Sequence, residues 1–177
     1  MKTKIFQLLF AILVVSLEVS AQDTYQVFPT EGFKVKCGCK LQPNSLFIQM
    51  AKQQQLKDVI AAYMCAENEN SPEYGVIVNI NIYDESKSYR EIKPQYHAYF
   101  EKRCLEKYAD NLEEAGVNYK YTTYQGVNAV EYDYYMNDLP ARAIYFFKDK
   151  KSYLLQVATT NNLAPKYQAL KSSFELF

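Results

Sequence analysis

The chain contains no tryptophan and only one histidine, His97. That excludes a His-Glu-x-x-His zinc motif and leaves a serine triad without a supported base. Neither a Gly-rich phosphate loop nor a Gly-x-Ser-x-Gly elbow occurs. No cofactor motif is present, and nothing in the pattern calls for an enzyme. Glycine and proline are sparse, at five and six residues, and no repeat or low-complexity tract is found. This argues against linkers and a multi-domain chain. Charge of either sign is not in excess, with 20 basic and 20 acidic side chains. Such a balance gives no electrostatic footprint for nucleic acid or an anionic membrane.

Long apolar runs are also missing, except at the start. Lys2 and Lys4 precede a short apolar stretch from Ile5 to Val15, and Val19-Ser20-Ala21 offers small or apolar residues at −3 and −1. This reads as a signal peptide over residues 1–21, cleaved after Ala21. The stretch is shorter than the roughly 20 residues of a membrane span. Export follows, periplasmic or secreted, and residues 22–177 then make one domain of ordinary length. A domain of that size buries roughly 70% of its unfolded surface, so its core does not depend on cysteines.

What is abundant is tyrosine, 17 residues in all. Its ring packs on a half-buried sheet while its hydroxyl stays wet, and the same property suits binding surfaces. Phe33 to Leu41 reads as a strand, and Val59 to Cys65 as another. Leu46 to Leu56 is ambiguous between a short helix capped by Asn44 or Ser45 and an extension of the sheet. Val76 to Tyr83 is the clearest strand: Val76, Val78, Ile80 and Ile82 share one face, Asn79 and Asn81 the other. Gln95 to Ala115 reads as the major helix, with Ala98, Leu105, Tyr108, Ala109 and Leu112 in one stripe and Gly116 just past its end. Four strands follow, broken at Gln125-Gly126, Asn137-Asp138 and Asp149-Lys150. A last helix, started by Asn161 or Asn162, buries Leu163, Tyr167, Leu170 and Phe174. The order predicts an α+β domain: an antiparallel sheet of about six to seven strands with a long helix and a C-terminal helix packed on it.

Three stretches carry a resemblance. "GFKVKC", "GVIVNINIYD" and the tail "YQGVNAVEYDYYMNDLPARAIYFFKDKKSYLLQVATT…LKSSFEL" are similar to the PsbP/Mog1-like superfamily in hydrophobic pattern and order. The resemblance covers most of residues 32 to 176. It implies a central antiparallel sheet between helices, no common reaction, and an accessory or assembly role. It brings no catalytic or metal-ligating residue to this chain.

Beyond the leader the chain has four cysteines, Cys37, Cys39, Cys65 and Cys104. An even count in an exported chain favours disulfides. On a strand, Cys37 and Cys39 point to one face and sit at or beyond bridging distance from each other. Each is therefore expected to reach a different partner. Cys37 with Cys65 and Cys39 with Cys104 is one pairing, and the swapped pairing stays open beside it. A thiol-disulfide exchange centre at Cys37-Gly38-Cys39 is the functional alternative, which needs a depressed thiol pKa. Lys34, Lys36 and Lys40 alternate away from both sulfurs, which weakens it. A zinc site is disfavoured by the one-residue spacer.

His97, Glu101 and Cys104 share a flank of the long helix, in poor geometry for nucleophilic attack, and read as a surface His97–Glu101 pair beside a disulfide cysteine. Tyr119, Tyr121, Tyr124, Tyr132, Tyr134 and Tyr135 read as cross-strand packing. Tyr135, sharing a face with Glu131 and Asp133, is the best exposed aromatic and acidic binding face. The expectation is an exported accessory domain that binds a protein or small molecule. A weaker alternative is a cystatin-like inhibitor presenting "YQGVNA" at a hairpin.

Overall fold

The computed structural model describes residues 24–54, 59–67 and 75–177. The leader reading over residues 1–21 lies outside them. Ten strands and four α-helices occur among the described residues. In chain order they are β1 (Gln26–Phe28), β2 (Phe33–Val35), β3 (Gln42–Pro43), α1 (Ser45–Gln53), β4 (Val59–Glu67), β5 (Val76–Asp84), α2 (Ser86–Glu91), α3 (His97–Glu114), β6 (Tyr119–Tyr124), β7 (Val127–Met136), β8 (Leu139–Lys148), β9 (Lys151–Thr159), α4 (Leu163–Ser173) and β10 (Glu175–Leu176). The class is α+β. No helix among the described residues is long and apolar enough to cross a membrane.

The main sheet has seven antiparallel strands in the order β3-β4-β5-β9-β8-β7-β6. Three two-residue turns make the meander β6 to β9. Gln125-Gly126, Asn137-Asp138 and Asp149-Lys150 all have positive φ at both positions. That backbone twist matches the right-handed twist of the flanking strands, which is why the hairpins close so tightly. The meander then returns β9 to the side of β5, across the connection made by α2 and α3.

Alternation along the strands sorts the side chains into two layers. One face buries Ile80, Ile82, Ile144, Phe146, Tyr153 and Leu155 against Tyr167, Leu170 and Phe174 at the C-terminal end. The other packs Val130, Tyr132, Tyr145, Phe147 and Leu154 against Leu105 and Ala109 of α3, with Phe100, Tyr108 and Leu112 at the margin. Ala98, placed in the stripe by its spacing, is exposed. α1 lies against β4 through Ala51, Val59 and Ala62. The ambiguity over Leu46 to Leu56 resolves to a helix over Ser45–Gln53, where Asn44 Oδ1 accepts the Phe47 N–H at 3.0 Å as a side-chain N-cap, while residues 55 and 56 lie outside the described ones.

A second sheet, β1-β2-β10, covers the first face. It joins the two ends of the described chain: Glu175 pairs with Lys34, and Gln26 with Val35. Gly32 makes the turn between β1 and β2 at φ +75°, and a Cβ there would sit 3.1 Å from the Phe177 carbonyl oxygen. β2 is shorter than the strand read over Phe33 to Leu41. It ends at Val35 because Ser173 Oγ accepts the Lys36 N–H at 3.0 Å and donates to the Lys36 carbonyl at 2.9 Å. A helix residue takes the place of a neighbouring strand there.

Candidate functional site

A cleft of about 710 Å³ opens where the chain leaves β2 and runs beside α4. Its floor is apolar: Val78 of β5, Val157 of β9 and Leu170 of α4, each under a tenth exposed. One wall is Cys37-Gly38-Cys39, and Tyr25, Lys36, Glu67, Asn162 and Lys166 are polar members of its lining. A cleft of this size falls in the range of small-molecule pockets, with polar and apolar groups contributing comparably to its lining.

The wall is held by one amide. Gln26 Nε2 donates to the Cys39 carbonyl at 2.8 Å and to Cys37 Sγ at 3.1 Å, while Gln26 Oε1 accepts the Leu41 N–H at 2.9 Å. One glutamine side chain thus closes the loop that a continuing strand would have straightened. Outside it, Glu175 accepts from Tyr25 Oη at 2.6 Å and pairs with Lys34 at 2.8 Å. The amines of Lys34 and Lys36 lie 4.5 and 4.9 Å from the Tyr25 ring centre. Hydrogen bonds from Lys34 and Tyr25 hold the Glu175 carboxyl below its ordinary value.

The disulfide joins Cys39 to Cys65, with Cα atoms 5.8 Å apart. This corrects the pairing of Cys37 with Cys65 and Cys39 with Cys104, and gives one bond of the swapped set. Cys39 and Cys65 lie in the layer under the small sheet, whereas Cys104 is in the layer under α3. The seven-stranded sheet separates them, so the long helix cannot supply a partner to the Cys37-Gly38-Cys39 wall. Cys37 keeps its thiol, which is buried and donates to the Cys39 carbonyl at 3.1 Å. Burial pushes this thiol up to about 11, against the opposing pull of its hydrogen bonds. The exchange reading therefore begins from a protonated thiol beside a disulfide, rather than from a bond within the motif.

The other sequence candidates fall elsewhere. Glu101 accepts a hydrogen bond from Tyr89 Oη, and His97 Nε2 faces the carbonyls of Tyr89 and Ile92 at 3.2 and 3.0 Å. The expected His97–Glu101 pair is thus replaced by contacts to α2 and the turn after it, a short helix that the sequence reading did not anticipate. Most tyrosines pack: Tyr108 and Tyr132 share a 2.7 Å hydroxyl contact, and Gln156 Nε2 donates to Tyr134 Oη at 2.7 Å. Of the proposed binding face, Tyr135 is 76% exposed. Asp133 is clasped by Arg142 at 2.6 and 3.0 Å. Glu131 is buried between Lys171 at 2.7 Å and Lys120 at 3.5 Å. Its two carboxylates are neutralised, so this is not an open acidic surface. Among the described residues, no group of three His, Cys, Asp or Glu side chains is placed to hold a metal ion.

No protein-family profile matches the chain, and no curated protein matches it by sequence. Structure comparison finds the solution structure of cyanobacterial PsbP (CyanoP) from Synechocystis sp. PCC 6803, at TM-score 0.50 and 9% identity, covering 92% of this chain and 96% of that one. The fold is PsbP-like. The sequence resemblance, carried by pattern and order rather than identity, pointed to the same fold. At 9% identity the likeness shows the PsbP-like architecture alone. What a PsbP-like scaffold offers here comes from its own side chains: Ser173 anchoring the Cys37-Gly38-Cys39 loop to α4, and Gln26 shaping it. Neither left a signal in the sequence, since both are single polar residues whose partners are distant in the chain.

Proposed function

We propose that the chain is an exported, non-enzymatic binding domain whose ligand occupies the cleft between the Cys37-Gly38-Cys39 loop and α4. The observation that carries this reading is the cleft itself: about 710 Å³ over an apolar floor, with polar groups in its lining. Export is supported by the signal-peptide pattern read over residues 1–21 and by the Cys39–Cys65 bond, a linkage that persists in oxidising compartments. The PsbP-like fold is consistent with the accessory role that the sequence resemblance implies. The inhibitor alternative has less support. The β6–β7 turn is tied down, with Tyr124 Oη donating to the Lys171 carbonyl at 2.6 Å and Gln125 Nε2 to the Phe174 carbonyl at 2.6 Å.

The test is ligand-observed NMR on the full chain with a small-molecule library, repeated on Ala169→Trp. Ala169 is an exposed helix position lining the cleft, so the indole fills the opening without disturbing the core. Hits are expected with the wild type and should vanish in the variant while its melting temperature is unchanged. Hits that persist equally in Ala169→Trp would place binding elsewhere and overturn the reading.

A further inference from the structure

We propose that the ligand of this cleft is a small amphipathic monoanion, an organic carboxylate with an apolar body, its head held by Lys36 and Lys166. The inference rests on the cleft being a binding site and names the chemistry that the site selects.

The apolar half of the argument is the floor. Val78, Val157 and Leu170 lie beneath the cleft almost fully buried, and the apolar surface open to the cleft comes from the half-buried Val76 and the exposed Pro165 and Ala169. Water against such a surface is unfavourable by roughly 25 cal/mol per Å², so an apolar body is drawn in.

The charged half is the pattern of lysine pairing. Lys34, Lys120 and Lys171 each have a carboxylate partner, on Glu175, Glu131 and Glu131 respectively. Lys36 and Lys166, both in the cleft lining, have no carboxylate within ion-pair distance among the described residues, although Glu175, already paired with Lys34, also feels the Lys36 charge. Lys36 instead rests over the Tyr25 ring, which keeps its amine beside the opening. Lys166 stands in the first turn of α4, a turn with no acidic residue and no side-chain cap. A cation at that end of a helix is unfavourable against the backbone dipole, and a bound carboxylate relieves the repulsion. Glu67 is the acidic member of the lining, so the three charged side chains sum to +1. That sum suits one carboxylate and disfavours a dianion such as a phosphate.

The experiment titrates octanoate, octylamine and inorganic phosphate separately into the isotope-labelled full chain, followed through the amide signals of Gly38 and Ala169. Octanoate is expected to shift both signals saturably, with octylamine and phosphate doing so at least fivefold more weakly. The Lys36→Gln/Lys166→Gln variant should weaken octanoate about fivefold. Both lysines are partly exposed, and the Lys36 backbone bonds to Ser173 do not involve its side chain, so the variant is expected to fold. Equal affinity for octanoate and octylamine, octanoate binding untouched by the double variant, or tighter binding of phosphate would overturn the anion assignment while leaving the cleft a binding site. No shift at Gly38 or Ala169 with any of the three would overturn both readings.

Discussion

Cys37 is the residue whose chemistry differs most between its spelling and its setting. Beside Gly38 and Cys39 it looks like half of a reactive pair, yet burial raises its thiol to about 11. A thiol raised in the folded state binds its proton more tightly there than when unfolded. The stability it contributes is therefore complete below its ordinary value of 9.0 and is lost as pH climbs toward about 11. Tyr63, Tyr124 and Tyr153, raised by burial to about 12, add their own losses only at higher pH. Cys37→Ala should therefore flatten the decline in urea-unfolding stability between pH 9 and pH 10 and leave the steeper decline above it. An unchanged profile would show that the thiol is not desolvated. Its neighbour in the motif has the opposite role. Cys39 closes a loop of sequence separation 26 with Cys65, a constraint worth about 3 kcal/mol against the unfolded chain.

At the scale of elements, the decisive joint is between the end of β2 and the last turn of α4. Ser173 is buried and serves both backbone groups of Lys36, its single hydroxyl proton shared between the Lys36 carbonyl and the Leu170 carbonyl at 3.2 Å. Removing the hydroxyl leaves the half-buried amide and carbonyl of Lys36 without this partner. Ser173→Ala is expected to cost about 1–3 kcal/mol in equilibrium denaturation. It should also move the Cys37-Gly38-Cys39 loop relative to α4, seen as amide shift changes confined to residues 36–41 and the end of α4. A loss of stability with no change in that loop would mean that Gln26 alone holds the cleft wall. Ser173→Thr keeps the hydroxyl and should retain the loop signals.

For the molecule as a whole, the small sheet brings the start and end of the described chain onto one face of the large one. Phe174 is the plug of that arrangement. It is 2% exposed and lies 5.2 Å from the Phe33 ring, 6.0 Å from Tyr153 and 6.4 Å from Phe146, centroid to centroid. These rings come from β2, β8 and β9, so one side chain joins both sheets. Phe174→Ala should destabilise by about 3–5 kcal/mol, read as a lower midpoint in a single cooperative denaturation. Phe177, 68% exposed at the same end, should tolerate alanine with little effect. Similar losses at the two positions would mean that the C-terminal segment is not docked in solution.

Elements with a strong period were legible in the chain. Val76, Val78, Ile80 and Ile82 recur at every second position, α3 carries an apolar stripe, and each meander turn has residues that punctuate two strand-like runs. Local physics fixes those features, because side-chain direction follows backbone period and turn residues set φ. The short pieces β1, β3, β10 and α2 were not legible, being two to six residues long and stabilised by what they dock against. The functional residues were partly legible: the Cys37-Gly38-Cys39 stretch stood out, but its cleft did not. Which cysteine bonds to which depended on the face of the sheet that α3 chose, and no spacing in the chain encodes that choice. By itself the sequence determined the strand–helix order, the turns and an α+β class, all consequences of contacts near in the chain. Only the tertiary structure decided that Cys39 meets Cys65, that Ser173 and Gln26 bend the chain away from β2, and that two lysines border an apolar cleft. Those depend on contacts between residues as far apart as 137 positions, which a local pattern cannot specify.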